Sequence, residues 1–387
     1  MKIVMIGQKG IPASWGGVEQ HVDHLSREIS DSNTEVIVYT RPHYTPKELV
    51  EEFNTTHENI RLVSIFAVGS KHFDTIIHTF VVTLHAVFIE KPGIYHFHSV
   101  GPSLLSWIPR VLRPSARVVT TFHSPDRLHQ KWNWFARKVL TIGEWTSMHF
   151  AHKTIAVSRD LQEYAENRFS KSATYIPNGV DQMEKQKASM ITAAYGLQED
   201  DYILAVARLV RHKGMHHLIN AYKQLNTAKK LVIVGDSAAT DDYVAELRQL
   251  AGDDPNIIFT GYQTGRMLQE LFSNCYLYVQ PSESEGLSIA VLEAASYGCA
   301  VLSSDIGPNR EVIQGRGFLF RNKNVDELQE QLQYALRHTE EVEAVGKTLR
   351  QYVHAEYDWG NVGIETRELY GSLFEDEVPI RSKAIAK

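Results

Sequence analysis

MKIVMIGQKGIPASWGGVEQ, residues 1–20, carries the reading from which the architecture follows. It opens with a short apolar, β-branched run that closes on Gly7, continues through a turn rich in Gly and Pro, and leads into a segment, Glu19 to Ile29, of helical period. Strand, tight turn and helix in that order are the opening unit of a parallel sheet covered by helices. Outward from this stretch the alternation continues through EVIVYT (35–40), IRLVSI (60–65), GIYHFHS (93–99), ARVVTTFH (116–123) and KTIAVS (153–158). It starts afresh after residue 200 with YILAVAR (202–208), KKLVIVG (229–235), IIFTGY (257–262), LYVQPS (277–282) and AVLSSD (300–305). The expected fold class is therefore α/β, with two doubly wound Rossmann-like domains facing each other across a cleft.

Length agrees, since 387 residues exceed what one hydrophobic core usually organises. Around residues 175–187, Pro177, the Asn178-Gly179 pair and a fall in hydrophobicity mark the crossing between halves. This places an N-terminal Rossmann-like domain at 1–178 and a C-terminal Rossmann-like domain at 179–357. A second crossing near Asp358 and Trp359 leaves a helix over about 358–379 to pack back on the first domain, with a frayed tail after Pro379.

Hydrophobic residues make up 43% and charged residues 22%, the mix of a packed globular protein rather than a disordered one. Cys275 and Cys299 sit in apolar surroundings without C-x-x-C spacing, so they read as buried thiols and not as a disulfide framework or zinc knuckle. The apolar run at the N-terminus is too short for a signal peptide, which makes the cytoplasm the expected location. The stretch nearest to a membrane span, Thr75 to Ile89, is broken by His78 and His85. A net charge of −6 argues against nucleic acid, yet the halves differ: residues 1–180 hold 19 Lys+Arg against 16 Asp+Glu, residues 181–387 hold 21 against 30. That asymmetry is either chance with acidic surface helices or an N-terminal half that meets an anionic partner.

Three stretches carry chemistry. In the first loop, Gly16 and Gly17 let the backbone approach a ligand, and the bare amides of the following helix favour an anion. The loop is neither G-x-G-x-x-G nor G-x-x-x-x-G-K-[ST], so a nicotinamide enzyme and a P-loop ATPase are not indicated. AVARLVRHKG, residues 205–214, ends a strand in Arg208 and reaches Lys213 in the next turn, two cations where a pyrophosphate leaving group could be neutralised. ESEGLSIAVLEAASYG, residues 283–298, carries the most weight. Glu285 precedes Gly286, Leu287 and Ser288, which should start a helix, and Glu293 falls slightly more than two turns later on the same side. The amides there suit a phosphate and the carboxylates suit sugar hydroxyls, so both parts of one ligand fit side by side.

Histidines form a further set. His123 ends a strand where substrates bind in doubly wound folds and is read as a sugar or phosphate contact, whereas His96 and His98 read as structural. A zinc site from His96, His98 and His123 lacks a supporting ligand motif and is set aside, so no metal residue is assigned. Two aspartates never stand in D-x-D spacing, the arrangement by which many metal-dependent transferases hold a divalent ion on the nucleotide diphosphate. Arg208, Lys213 and the helix terminus are expected to serve instead.

These residues resemble the retaining glycosyltransferases of family 4, which have the GT-B fold, over nearly the whole chain. The most specific match is Glu285, seven residues, Glu293; Arg208 and Lys213 in ARLVRHKG, Gly16 and Gly17, PNGVD at 177–181 and NREVI at 309–313 add to it. The first loop looks like that of bacterial members that build surface polysaccharides. The resemblance implies a metal-independent hexosyl-type transfer from a nucleotide-diphosphate sugar to an acceptor hydroxyl, with no separate cofactor. In it Glu293 binds the ribose and Glu285 the donor sugar, while Arg208 and Lys213 hold the diphosphate. Gly17 and the amides of Gly286, Leu287 and Ser288 add to that grip, and His123 contacts the sugar from the other side. Retention is explained in that family by attack on the face from which the phosphate departs, with that phosphate taking the acceptor's proton. GLS stands at 286–288 where many members read GFG, which leaves the backbone amides in place.

Family members often meet membranes through the first domain. Residues 131–145 interleave Trp132, Trp134, Phe135 and Trp145 with Lys131, Arg137 and Lys138, which suits either a lipid interface and a lipid-linked acceptor or the packing of an amphipathic helix. The competing readings are a sugar-nucleotide epimerase or phosphorylase on the same fold, and a non-catalytic nucleotide-sugar binding protein.

Overall fold

A computed structural model describes residues 1–13, 16–66, 74–125, 127, 134–237 and 240–375. Asp126, Lys131, Trp132 and the tail from 376 onward lie outside the described residues. Seven parallel strands form the first sheet: β1 (Lys2–Ile6), β2 (Glu35–Thr40), β3 (Ile60–Ser64), β4 (Ile94–His98), β5 (Arg117–Phe122), β6 (Lys153–Ala156) and β7 (Thr174–Tyr175), in the order β3-β2-β1-β4-β5-β6-β7. The second sheet holds β8 (Tyr202–Val206), β9 (Lys230–Val234), β10 (Ile257–Gly261), β11 (Leu277–Gln280), β12 (Val301–Ser304) and β13 (Phe318–Phe320), ordered β10-β9-β8-β11-β12-β13. All strand pairs are parallel, and the central strands are buried on both faces, which is why they read as continuous apolar runs.

Each sheet reverses its winding once, between β1 and β4 and between β8 and β11. A crevice opens at the carboxyl ends of strands at such a switch. Three of the loops issuing there are ones the sequence singled out: Gly7 onward after β1, Arg208 after β8, and Pro281 to Ser288 after β11.

The chain passes between the units at 176–181 and returns at 357–360. The two crossings lie side by side, with the Val180 amide donating to the Tyr357 carbonyl at 2.6 Å. Trp359 fills the space beside Gly179, where an added methyl would stand 2.6 Å from the indole. The last helix, Trp359–Glu375, packs on the first unit: Tyr370 hydroxyl meets His96 Nδ1 at 2.6 Å and Arg117 Nε donates to the Leu373 carbonyl at 2.8 Å. The opposite face of the first sheet carries Asp74–His85 with a continuing wide turn to Glu90, then Trp107–Leu112 and Trp134–His149. No helix among the described residues is long and apolar enough to cross a membrane.

Candidate functional site

The second unit supplies a charged floor. After β8 the chain turns through Arg211–Lys213 to Gly214, whose φ of +70° and missing side chain let the turn lie against the Pro281 carbonyl; a methyl there would come within 1.9 Å of that oxygen. This contact brings Lys213 beside the β11 loop, and its Nζ meets Glu285 Oε1 at 2.5 Å. Gln280 donates to the same carboxylate oxygen at 2.8 Å and is itself oriented by the Tyr278 hydroxyl at 2.7 Å. Burial opposes the Glu285 charge, but the Lys213 ammonium and hydrogen bonds from Lys213 and Ser282 outweigh it and hold the carboxyl below its usual range. Arg208 stands exposed at the end of β8, and no described carboxylate pairs with it.

Gly286, Leu287 and Ser288 lead into the helix Ile289–Ser296, whose first amides have no side-chain cap. Gly286 packs so tightly on the first unit that an added Cβ would fall 1.6 Å from the His123 carbonyl oxygen. Gly17 lies opposite Ile289, with 3.7 Å between its Cβ position and the isoleucine Cδ1. The two candidate ligand loops thus face each other directly. Gly16, with φ of +93°, caps the helix Gly17–Ile29, and that helix sends Gln20 across to Glu293 Oε1 at 3.3 Å. Among the described residues no cation stands beside Glu293. Burial pushes its carboxyl up to about 7, the Gln20 hydrogen bond resisting and Asp181 adding to the rise. Two glutamates on one signature thereby differ: Glu285 is an ion-paired carboxylate, and Glu293 sits near the point where it gives up its proton.

The first unit supplies neutral groups. His123 is buried and its Nε2 meets His98 Nδ1 at 3.2 Å. His21 stands edge-on to His123 at 4.8 Å between ring centroids. Burial foremost, and neighbouring histidines after it, push His98 and His123 well below the usual imidazole range. His96 is paired on both nitrogens, to Tyr370 and to Thr121 Oγ1 at 2.7 Å, the structural role expected of it. Asn178 closes a chain across the units: its amide donates to the Leu287 carbonyl at 2.9 Å, which leaves its oxygen to accept from His21 Nδ1 at 2.9 Å. Ring nitrogens of His21, His98 and His123 lie within 4.8 Å of one another, so His21 rather than His96 completes the trio that a metal would use. Asn178 takes up His21 Nδ1 and the His98–His123 contact takes up one nitrogen of each, whereas His21 Nε2 is buried without a partner among the described residues.

Between the units a crevice of about 200 Å³ is lined by Pro125, Asp160 and Tyr164 on one wall and Ser284, Glu285 and Pro308 on the other. A larger hollow of about 500 Å³, bounded by Leu225 to Lys229 and Gln333 to Arg337, opens at the amino ends of the strands, away from this chemistry. Glu285 lines this crevice with Lys213 paired to it, and Gly286, next in sequence, packs on His123, while Gly17 faces the helix that carries Glu293; Arg208 is exposed at the end of β8. Gln20, His21, Asn178 and Gln280 escaped the sequence reading, although the first two follow the Gly16-Gly17 loop directly and Asn178 lies in PNGVD.

Two family descriptions cover adjoining parts of the chain. "Glycosyltransferase Family 4" matches residues 15–183 and "Glycosyl transferases group 1" matches residues 191–352. The chain is a GT-B glycosyltransferase of the family 4 type. The transferase is similar to an uncharacterized glycosyltransferase of Methanocaldococcus jannaschii, 25% identical over 97% of this chain and 99% of the relative. It is also 27% identical to a Bacillus subtilis glycosyltransferase named for teichuronic acid biosynthesis, over 56% of this chain and 54% of that one. Among solved structures, Anabaena HepE in complex with UDP-glucose superimposes with a TM-score of 0.78 at 20% identity, covering 96% of this chain and all of that one. The fold is thereby that of the GT-B transferases.

Proposed function

We propose that this transferase moves a sugar from a nucleoside-diphosphate sugar to an acceptor hydroxyl with retention, without a metal, in the synthesis of a cell-surface polysaccharide or glycolipid at the cytoplasmic face of a membrane. The observation that carries the reading is the Lys213–Glu285 pair at the β8/β11 switch, standing beside the bare helix start at Gly286 and the cation-free Glu293. In this reading Lys213 and Arg208 take the diphosphate together with the amides from Gly286 to Ser288. Glu285 accepts from donor-sugar hydroxyls and Glu293 from the ribose. Gly16 and Gly17 let the first loop close over the phosphates. His123, kept neutral by burial, offers its remaining ring nitrogen, Nδ1, to the donor sugar. The leaving phosphate receives the acceptor's proton, so no carboxylate of this chain acts as nucleophile.

A polysaccharide role is supported by the name of the B. subtilis relative. Membrane contact is supported by the outer helices of the first unit, where Trp134 is 70%, Phe135 66% and Ile89 67% exposed. Core packing does not take these aromatics up. Lys138 lies over the Trp134 ring at 4.3 Å, and Arg137 is its neighbour. Residues 131–133 of that segment lie outside the described residues.

A thermal-shift screen of UDP, GDP, ADP and dTDP and their sugars tests the donor assignment. One nucleoside diphosphate should stabilise the wild type in the presence of EDTA, and Glu293→Ala should abolish that shift. Unaltered affinity in both Glu293→Ala and Lys213→Ala overturns the assignment. The anomeric configuration of the product, read by NMR, decides retention; loss of activity with EDTA removes metal independence. Failure to co-sediment with anionic liposomes at low salt removes the membrane contact.

A further inference from the structure

Two helices, one from each unit, meet at the rim of the crevice: Arg159–Phe169 and Gly307–Ile313. The amide of Arg159 belongs to a first turn and has no acceptor within its own helix. Ser158 Oγ serves Leu161 N at 3.2 Å, and Arg159 N is served from the other unit, donating to Glu311 Oε2 at 2.7 Å. The Arg159 guanidinium is fixed meanwhile over the Tyr175 ring, 3.8 Å from its centroid. Tyr357, where the chain returns between units, donates its hydroxyl to the Glu311 carbonyl at 3.4 Å. Among the described residues Glu311 Oε1 is buried without a hydrogen-bond partner, while the Tyr175 hydroxyl, also of the first unit, favours the charged form of this carboxyl. A carboxylate so enclosed is retained at a cost, and its one direct backbone partner lies in the opposite unit.

The contact is two-sided. Asp160, next in sequence to Arg159, lies against Gly307 so closely that a methyl there would stand 2.0 Å from Oδ1 and 2.5 Å from Cγ. Asp160 lines one wall of the crevice, and Gly307 and Pro308 line the other together with Glu285. These contacts exist only while the units are together, and they border the space an acceptor must enter.

We propose that Glu311 and Asp160 with Gly307 form an inter-unit latch whose closure sets the crevice width, making them positioning residues for transfer. The inference rests on the functional reading above for what the crevice does. Its signature follows from the division of labour: Arg208, Lys213, Gly286 and Glu293 all belong to the second unit and the first adds only the backbone at Gly16 and Gly17, so most of the grip on the nucleotide persists without the latch. Turnover needs His123 from the first unit and therefore needs closure.

The test uses full-length Glu311→Ala, Glu311→Gln, Asp160→Ala, Gly307→Ala and the double variant Gly307→Ala/Asp160→Ala, each checked for its melting temperature. The readouts are the radius of gyration by small-angle scattering, the Kd for whichever of UDP, GDP, ADP or dTDP stabilises the wild type, and the turnover of the matching sugar nucleotide. Glu311→Ala and Gly307→Ala should enlarge the radius and lower turnover by about tenfold while the Kd stays within about twofold. Glu311→Gln, which keeps an acceptor for the Arg159 amide, should stay near wild type, and Asp160→Ala should relieve Gly307→Ala. An unchanged radius and turnover in Glu311→Ala and Gly307→Ala overturn the latch, as does an equal loss of nucleotide affinity. Should Glu311→Ala fail to fold, Gly307→Ala and its relief by Asp160→Ala, at an exposed position, still decide. If no nucleotide binds the wild type, the functional reading falls, while the radii still judge the latch.

Discussion

The two units share a winding and differ in what they place at the switch point. The second puts formal charge there: Lys213 against Glu285, Lys323 against Glu283 at 2.8 Å, and Arg208 unpaired among the described residues. The first puts neutral, buried imidazoles there, with His98 and His123 held well below the usual range by burial. In the proposed reading a diphosphate leaving group meets fixed charges on one side and shape and neutral hydrogen bonding on the other. If that reading holds, the difference divides affinity and turnover largely between the units, because charged contacts bind anions while neutral ones position a sugar without competing for the phosphates.

The largest expected effect strikes that division directly. Lys213→Ala should weaken nucleoside-diphosphate binding by about 1.5–3 kcal/mol, roughly ten- to a hundredfold, by calorimetry. His123→Ala should leave that affinity within about twofold and lower sugar-nucleotide turnover by about tenfold; equal effects on both quantities would erase the contrast.

Next comes pH. Burial raises the Glu293 carboxyl to about 7, so it is protonated at pH 5 and ionised at pH 8. The ionised form accepts more from ribose hydroxyls, so nucleotide affinity should rise with pH by up to about tenfold per unit below 7 and flatten above. Glu293→Gln should lose that slope.

The same group predicts a smaller stability effect. Between the ordinary carboxylate value and about 7 the folded chain keeps a proton that the unfolded chain has released, so stability falls as pH rises through that window. Glu293→Gln should therefore raise the stability at pH 8 by on the order of 1–3 kcal/mol, read as a higher melting temperature, and change little at pH 5. A variant equally stabilised at both values would show that Glu293 is not strained by its charge. Smallest of all, Trp134→Ser with Phe135→Ser should leave turnover on a soluble acceptor unchanged while reducing liposome binding.

Several elements were legible before any coordinates. β1 and β8 announced themselves as apolar runs ending at Gly7 and Arg208, because a strand buried on both faces needs only apolar residues and a breaker. Glu285 and Glu293 were legible as a spacing along one helix, and Lys213 as a cation in the turn after a strand. His21 was not, since its relation to His123 and Asn178 joins residues 102 and 157 positions away through three different elements. Glu311 appeared only as part of NREVI, and nothing local distinguishes a carboxylate that caps a neighbouring unit from one on a solvated helix.

What the sequence determined alone is whatever depends on short-range order: strand and helix periods, the crossings at Pro177–Val180 and near Trp359, and the type of residue at each strand end. The tertiary structure decided which charges are neutralised and which are not. Glu285 and Glu293 are chemically identical, and only packing brings Lys213 to one and leaves the other with Gln20. The physical reason is that a carboxyl's proton affinity depends on the dielectric and the charges within a few ångströms, and those neighbours arrive from distant parts of the chain.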